Sequence, residues 1–501
     1  FSKGFQLRIL LYNDLSDLCL RTMSAAEEAM QQTVAHVWSL CPRPCKYPQQ
    51  RKPRMQSRSI DSSDQVSTGT QTNRFPPSFF IDPYIFQSCS VQIPQSRITV
   101  PSRVIEYLED VALFKGLVAE FFATIHQWMP IISRIRLHSL LTNQPLHQQE
   151  PDAILLLLSI KLILSVPEQN KSESEIYVTA KQFFLMVEMA GCLTLQLVQA
   201  GIMISLYELG HGIYPAAFST VAACARYGTA LGIDDLAVTD LMRAGGEEKL
   251  RVWWGILIVD HILNVGTHGR HLATRGPKSD QPLPMDDDDW DRLIPTSKQP
   301  QVLSAPTELK AGRFARTAQA TNLPSLVFQY LNRMRSGLQP SYEHLDQLNR
   351  TILALGDLVE EEGNQRGIVL CCPVDFAAIL TIFSALLLLN TPHLDGIPSA
   401  HLTDQQRHTS EQIVILETKK VKVIAEQYEN GKRGTLNETC PLLLSWLYRA
   451  AITTPIHPVI DGGKNREEVL PIHNTIKNIS QRWRVAGSHL QLLETRQFMT
   501  S

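Results

Sequence analysis

The sequence predicts an all-α protein, a multi-helix body preceded by a basic arm and a polar linker. Three observations carry that expectation. From about Val104 onward, apolar residues recur at the three- and four-residue spacing of helices, and the pattern persists along the chain. No run alternates apolar and polar residues as a half-buried strand would, and Asn430-Gly431 falls at the end of a helical stretch, not between two strands. Glycines, prolines and paired acids stand where helices should begin and end.

Taken in order, residues 1–40 carry weak helical periodicity, best over 25–38. Residues 56–80 are rich in Ser, Thr, Gln and Asp, bury little apolar surface and read as flexible linker. Residues 104–128 form a helix that stops before Pro130, which cannot continue one easily. The apolar runs at 154–164 (interrupted by Lys161) and 376–389 are too short for a bilayer and read as buried helices. Residues 177–208 form one long helix broken by Gly210-His211-Gly212. Pro215 suits the first turn of the next helix, with an apolar stripe of Phe218, Val221, Ala222 and Ala225 and with Gly232 at C′. Glu247-Glu248 complement the positive end of another helix, apolar over 250–263. A Pro- and Asp-rich loop from 266 to about 306 is expected to pack over the surface. Thr409 and Gln412 fit a capping box for a helix ending near Glu429, with Gly431 beyond.

With 501 residues, the length suits roughly two to four domains. A 44% hydrophobic, 19% charged chain of net charge -2 predicts neither nucleic-acid nor membrane binding by composition alone. The distribution of charge says more. Residues 1–60 hold nine Lys/Arg against four Asp/Glu, and residues 29–60 contain no acid. Arg43, Lys46, Arg51, Lys52, Arg54 and Arg58 cluster there, the electrostatic footprint of phosphate contact. Nine irregularly spaced cysteines and no signal-peptide pattern fit a reducing compartment with buried thiols. The start at Phe1, not Met, suggests that the natural N-terminus lies upstream.

Enzyme chemistry has one candidate. Asp287, Asp288 and Asp291 fit the DDxxD spacing by which all-α terpene synthases hold magnesium-bound diphosphate, because hard cations want clustered oxygens. Yet the run follows Pro282-Leu-Pro284, so a solvated loop is expected. The second metal motif fails, since Asn170 and Ser174 are followed by Val178 where Glu is needed, and aromatics are only 7%. His261, His268 and His271 follow Asp260 at metal-compatible spacings, but Gly266 and Gly269 intervene and no carboxylate-bearing helix accompanies them. No P-loop, GxSxG or strand-borne GxGxxG occurs. The expectation is a non-enzyme, with a magnesium-dependent prenyl-diphosphate enzyme as the rival. Trp253-Trp254 read as a core anchor, and Cys371-Cys372 before Pro373 as structural.

Four blocks in fixed order are Tyr207-Glu-Leu-Gly-His-Gly-Ile-Tyr-Pro-Ala-Ala217, Cys224-Ala-Arg-Tyr-Gly-Thr-Ala-Leu-Gly-Ile-Asp234, Glu248-Lys-Leu-Arg-Val-Trp-Trp254 with Asp260, and Gly269-Arg270 leading to Leu283-Pro284-Met-Asp286. Together they resemble the fungal-specific transcription factor domain, the middle homology region of zinc-cluster regulators. Phe122, His126, Trp128 and Pro130-Ile-Ile132 look like its start, so the likeness covers about residues 110–300. Its motif positions here are Tyr214, Gly232, Arg251, Trp254, Asp260, Gly269, Arg270 and Pro284. His261 stands where the family commonly has Arg, and His271 where Pro is common.

In such regulators an N-terminal six-cysteine zinc cluster places a short helix in the DNA major groove. Cys45-Lys46-Tyr47-Pro48 and the basic tail resemble its last edge, making Cys45 a remnant zinc ligand. A partner cysteine is missing around residues 36–38, Cys41 is too close, Cys19 too far, and no Cys-x2-Cys pair is present. Two thiolates cannot close a tetrahedral zinc site, so zinc is expected only if the cluster is complete in the gene product. A basic Pro-rich linker or localisation signal is the alternative.

The resemblance implies a nuclear regulator of a fungal gene set, with a secondary-metabolite cluster among the candidates, that works through promoter DNA and the transcription machinery and not at a membrane. Homodimerisation stays open, since no long heptad run follows the arm. The implied organisation is an N-terminal segment with the arm (1–58), a linker (59–100), the regulatory domain (101–390) and a C-terminal helical region (391–501). A regulator that has lost DNA binding and acts only through partners is a second rival.

Overall fold

The computed structural model describes residues 98–108, 111–143, 145, 148–166, 174–265, 271–292, 300–305, 310–338, 342–365, 376–395, 397, 403–430, 438–453 and 465–500. All belong to the unit running from Gln71 to Ser501. Their regular elements are helices, and strand pairing is limited to an isolated bridge between Pro282 and Val302, as an all-α reading requires. The Cys41–Arg58 stretch with Cys45, together with His268, Gly269, Arg270, Cys371 and Cys372, lies outside the described residues.

Three short helices, α1 (Ser102–Glu106), α2 (Val111–Ala123) and α3 (Ile125–Trp128), replace the single helix expected over 104–128. The break is local. Thr124 leaves helical geometry (φ -120°, ψ -83°) while its hydroxyl donates to the Glu120 carbonyl at 2.7 Å. Helices α4 (Arg134–Asn143) and α5 (Pro151–Leu164) follow, and α5 opens with Pro at its first turn, where a missing N–H costs nothing.

The long helix expected over 177–208 is two, α6 (Glu175–Met189) and α7 (Leu195–His211). Gly191 turns the chain at φ 75°, and the Thr194 hydroxyl then accepts from Leu197 N–H to start α7. That stop-and-cap pair was masked in the sequence by the apolar residues around it. Helix α7 ends where expected, with Gly212 left-handed at φ 68°. In α8 (Ala216–Ala230), Pro215 is the N-cap residue, not part of the first turn, and the Tyr214–Pro215 peptide is cis. Gly232 sits just past the end at φ 67°, and no atom lies near enough to obstruct a side chain, so its requirement is conformational.

After α9 (Val238–Leu241), α10 (Gly246–Asn264) opens on Glu247 and Glu248 and is buried on every side. Then come α11 (Asp287–Asp291), α12 (Arg313–Arg335, with Pro324 inside), α13 (Tyr342–Gln365), α14 (Phe376–Asn390) and α15 (Asp404–Glu429). The capping box of α15 is Thr403/Gln406, two turns upstream of the expected Thr409/Gln412. Both pairs have the right spacing, and the earlier start gains two turns of helix. Thr409 instead donates to the Gln405 carbonyl at 2.9 Å. Helices α16 (Leu442–Thr453), α17 (Asn465–Ile479) and α18 (Val485–Thr500) complete the body.

Two apolar helices act as hubs. Helix α7 packs against α5, α6, α8 and α10, and α14 against α12, α13, α15 and α16, while α10 also touches α12. A continuous core joins them, with Trp254, Trp446 and Trp483 fully buried. Burying an aromatic side chain of this kind contributes on the order of 2–3 kcal/mol. Among the described residues, no helix is long and apolar enough to cross a membrane.

Candidate functional site

Helix α10 brings the separate sequence blocks together. Its motif residues fasten the strap formed by residues 271–292 at three points. Near the strap's start, Asp260 accepts from the Thr274 N–H (2.8 Å) and hydroxyl (2.7 Å). At its middle, Trp254 donates its indole N–H to the Pro282 carbonyl at 2.9 Å. At its end, Arg251 donates to the Met285 carbonyl and to Asp287, each at 2.7 Å. Pro284 is buried between these points, and a residue with no N–H leaves no donor unsatisfied there.

Arg251 is completely buried. It also donates to Glu247 (2.7 Å) and to the Pro130 carbonyl (3.4 Å), with its guanidinium 4.1 Å from the centre of the Trp290 ring. Burial opposes its charge, but Asp287 and Glu247 outweigh that and hold its pKa above the ordinary arginine value. Glu248 performs the matching task toward the 130–133 segment, accepting from Ser133 N–H and Gln199 at 2.9 Å each and pairing with Arg136 at 3.0 Å. The blocks around residues 130, 251 and 285 therefore share one buried polar network. Network members that lose a partner are costly, which explains why the residues go together.

The acidic run is not the solvated loop expected from its prolines. Asp286 caps α11, accepting from Asp288 and Asp289 N–H. Asp287 is turned onto Arg251 and also accepts from Phe314 N–H (3.1 Å), and Asp291 pairs with Arg134 (3.0 Å) and His126 (3.3 Å). Burial holds the His126 imidazole below its ordinary pKa despite Asp291, so Arg134 is the cation opposite that carboxylate at neutral pH. Asp288 is exposed. The DDxxD carboxylates thus point to different partners and form no common cradle for a diphosphate. Among the described residues, no group of three His, Cys, Asp or Glu is placed to hold a metal.

His261 is buried, with Nδ1 against the Leu257 carbonyl (2.6 Å) and Nε2 against the Ser325 hydroxyl, while His271 is exposed, so these two do not meet. Tyr214 is half-exposed and rests against Phe218. Trp253 and Trp254 are core residues, as expected. Sequence reasoning missed Glu208, a fully buried acid on α7 that accepts from Tyr177 (2.9 Å), Lys181 (2.9 Å) and Thr220 (2.6 Å) and so ties α6, α7 and α8. Its signal was an acid inside the apolar run Leu206-Tyr-Glu-Leu209.

The motif residues of this helical body serve one another, and among the described residues they assemble no metal-holding cluster. No protein-family model matches the chain. It is 36% identical over 178 residues to the transcription factor BOA15 of Botryotinia fuckeliana (strain B05.10), covering 35% of this chain and 96% of that protein. On that likeness the chain belongs to the family of this fungal transcription factor.

Proposed function

We propose that the protein is a nuclear transcription regulator of a fungal gene set, such as a biosynthetic cluster, that recruits and positions partners and catalyses no reaction. The observation that supports this best is the likeness to a transcription factor over nearly all of that protein's length. The internal use of Asp287 and Asp291 also argues against the diphosphate enzyme. In this reading Arg43, Lys46, Arg51, Lys52, Arg54 and Arg58 contact promoter phosphates, and the helical body, with 101–390 as its regulatory domain, meets the transcription machinery. Cys45 and Cys41 alone do not fit a zinc ion, which needs four ligands, so zinc enters only where further cysteines join Cys45.

Gel-shift titration of the full chain on promoter-length DNA across a salt series tests the reading. Binding should weaken steeply with salt, with a log–log slope of about -0.9 per phosphate contact, and should be lost when the six cations are replaced by alanine. No shift at low salt overturns DNA contact and leaves the partner-only regulator. Magnesium-dependent diphosphate release lost in Asp287→Asn overturns the non-enzymatic reading.

A further inference from the structure

Where the turn between α17 and α18 meets the end of α7, three buried nitrogens lack partners among the described residues. His211 is 8% exposed and neither ring nitrogen has a hydrogen-bond partner. Arg482 is 3% exposed, and its Nε is likewise unmatched. The other two guanidinium nitrogens donate to carbonyls at the end of α5, Nη2 to Ile163 and Nη1 to Ser165 (3.4 Å). Among the described residues no carboxylate pairs with Arg482, although burial strips solvent from its charge and lowers its pKa to about 10. Glu120 is the acid whose charge reaches it.

These groups form one cluster. The Arg482 guanidinium lies 4.0 Å from the centre of the Trp483 ring, and His211 contacts both Trp483 (5.4 Å between ring centres) and Tyr207 (4.2 Å). A second cation, Arg484, acts electrostatically on both His211 and Tyr207. Tyr207 donates to the Ser174 hydroxyl at 3.1 Å. Ser165, Ser174 and Arg484 are partly exposed, so the cluster reaches the surface on that side.

A buried polar nitrogen without a partner costs about 1–3 kcal/mol, and a buried cation without a counter-charge costs more. Two of the three, the imidazole N–H and the Arg482 Nε–H, are donors, and beside a second arginine they are expensive unless an acceptor completes them. A neutral imidazole can donate one hydrogen bond without taking up a proton, and an arginine Nε–H is a strong donor to oxygen. We propose that this cluster is a binding site for a small oxyanion, the carboxylate or phosphate group of a ligand, held by Arg482, His211 and Arg484. Occupancy would fasten the α17–α18 turn to α5 and α7, coupling ligand to the fit of the last helices. This is independent of whether the chain binds DNA.

Calorimetric titration of the full chain with inorganic phosphate, acetate and benzoate, at fixed ionic strength with chloride as control, tests it and separates the two anion types. At least one should bind saturably. His211→Phe, which keeps the ring and removes both nitrogens, and Arg484→Gln, at a partly exposed position that leaves the core untouched, should each weaken that binding at least ten-fold. No saturable binding by any of the three anions overturns the site and leaves water as the partner of these nitrogens. Binding unchanged in Arg484→Gln and, if it folds, in His211→Phe also overturns it.

Discussion

Glu417 offers a direct measure of how the body handles buried charge. Its carboxylate is fully buried on α15, and among the described residues neither oxygen has a hydrogen-bond partner. Lys420 stands 3.6 Å away but also faces Glu360 at 3.4 Å and lies over the Phe383 ring. Burial pushes the Glu417 pKa up to about 7, against the pull of Lys420 and with help from Glu360 and Asp357. A carboxyl that holds its proton more tightly when folded favours the folded state at low pH. As pH rises from about 4.5 to about 7, the unfolded chain releases that proton first, and stability falls. At about 1.4 kcal/mol per pH unit across that window, the loss amounts to about 3 kcal/mol. Glu417→Gln carries no proton to lose. Its urea denaturation should match the wild type near pH 4.5 and exceed it by about 3 kcal/mol at pH 8. A variant equal to or less stable than the wild type at pH 8 would show that Glu417 is ionised and well paired with Lys420, refuting the reasoning.

Two further substitutions probe the packing. Arg251→Met leaves Asp287 and Glu247 facing each other without a cation and should cost about 3–5 kcal/mol, seen as a lower melting temperature and faster protease cleavage within residues 271–292. Gly210→Ala drives a methyl into the Trp483 ring. The helix-propensity gain of about 1 kcal/mol is outweighed by overpacking of about 1–3 kcal/mol or more, so thermal unfolding should come earlier and Trp483 fluorescence should shift to the red.

Helix boundaries were legible wherever a cap was chemically unambiguous. Gly212, Gly232 and the Glu247-Glu248 pair each marked an end that the structure places there. Legibility failed where two local signals competed or one was buried in apolar sequence. Thr403 and Thr409 offered equivalent capping boxes, and Gly191 with Thr194 interrupted a run too apolar to suggest a break. The α10 motif was visible as residues but not as a clamp. Spacing says nothing of which carbonyl Trp254 will meet 28 positions later. The acidic run shows the same limit, since only the fold reveals that Arg251 and Arg134 neutralise it.

Arg482 closes the end of α5 by reaching back across 317 and 319 positions of chain. A contact of that span carries a large loop-closure cost and cannot form before both ends of the loop exist. Synthesis from the N-terminus therefore leaves the middle helices unsealed until residue 482 has left the ribosome. Any stop codon upstream of that arginine would strike the centre of the protein, opening the slot beside Gly210 and baring the carbonyls of Ile163 and Ser165, though the lost residues lie far from both in the gene.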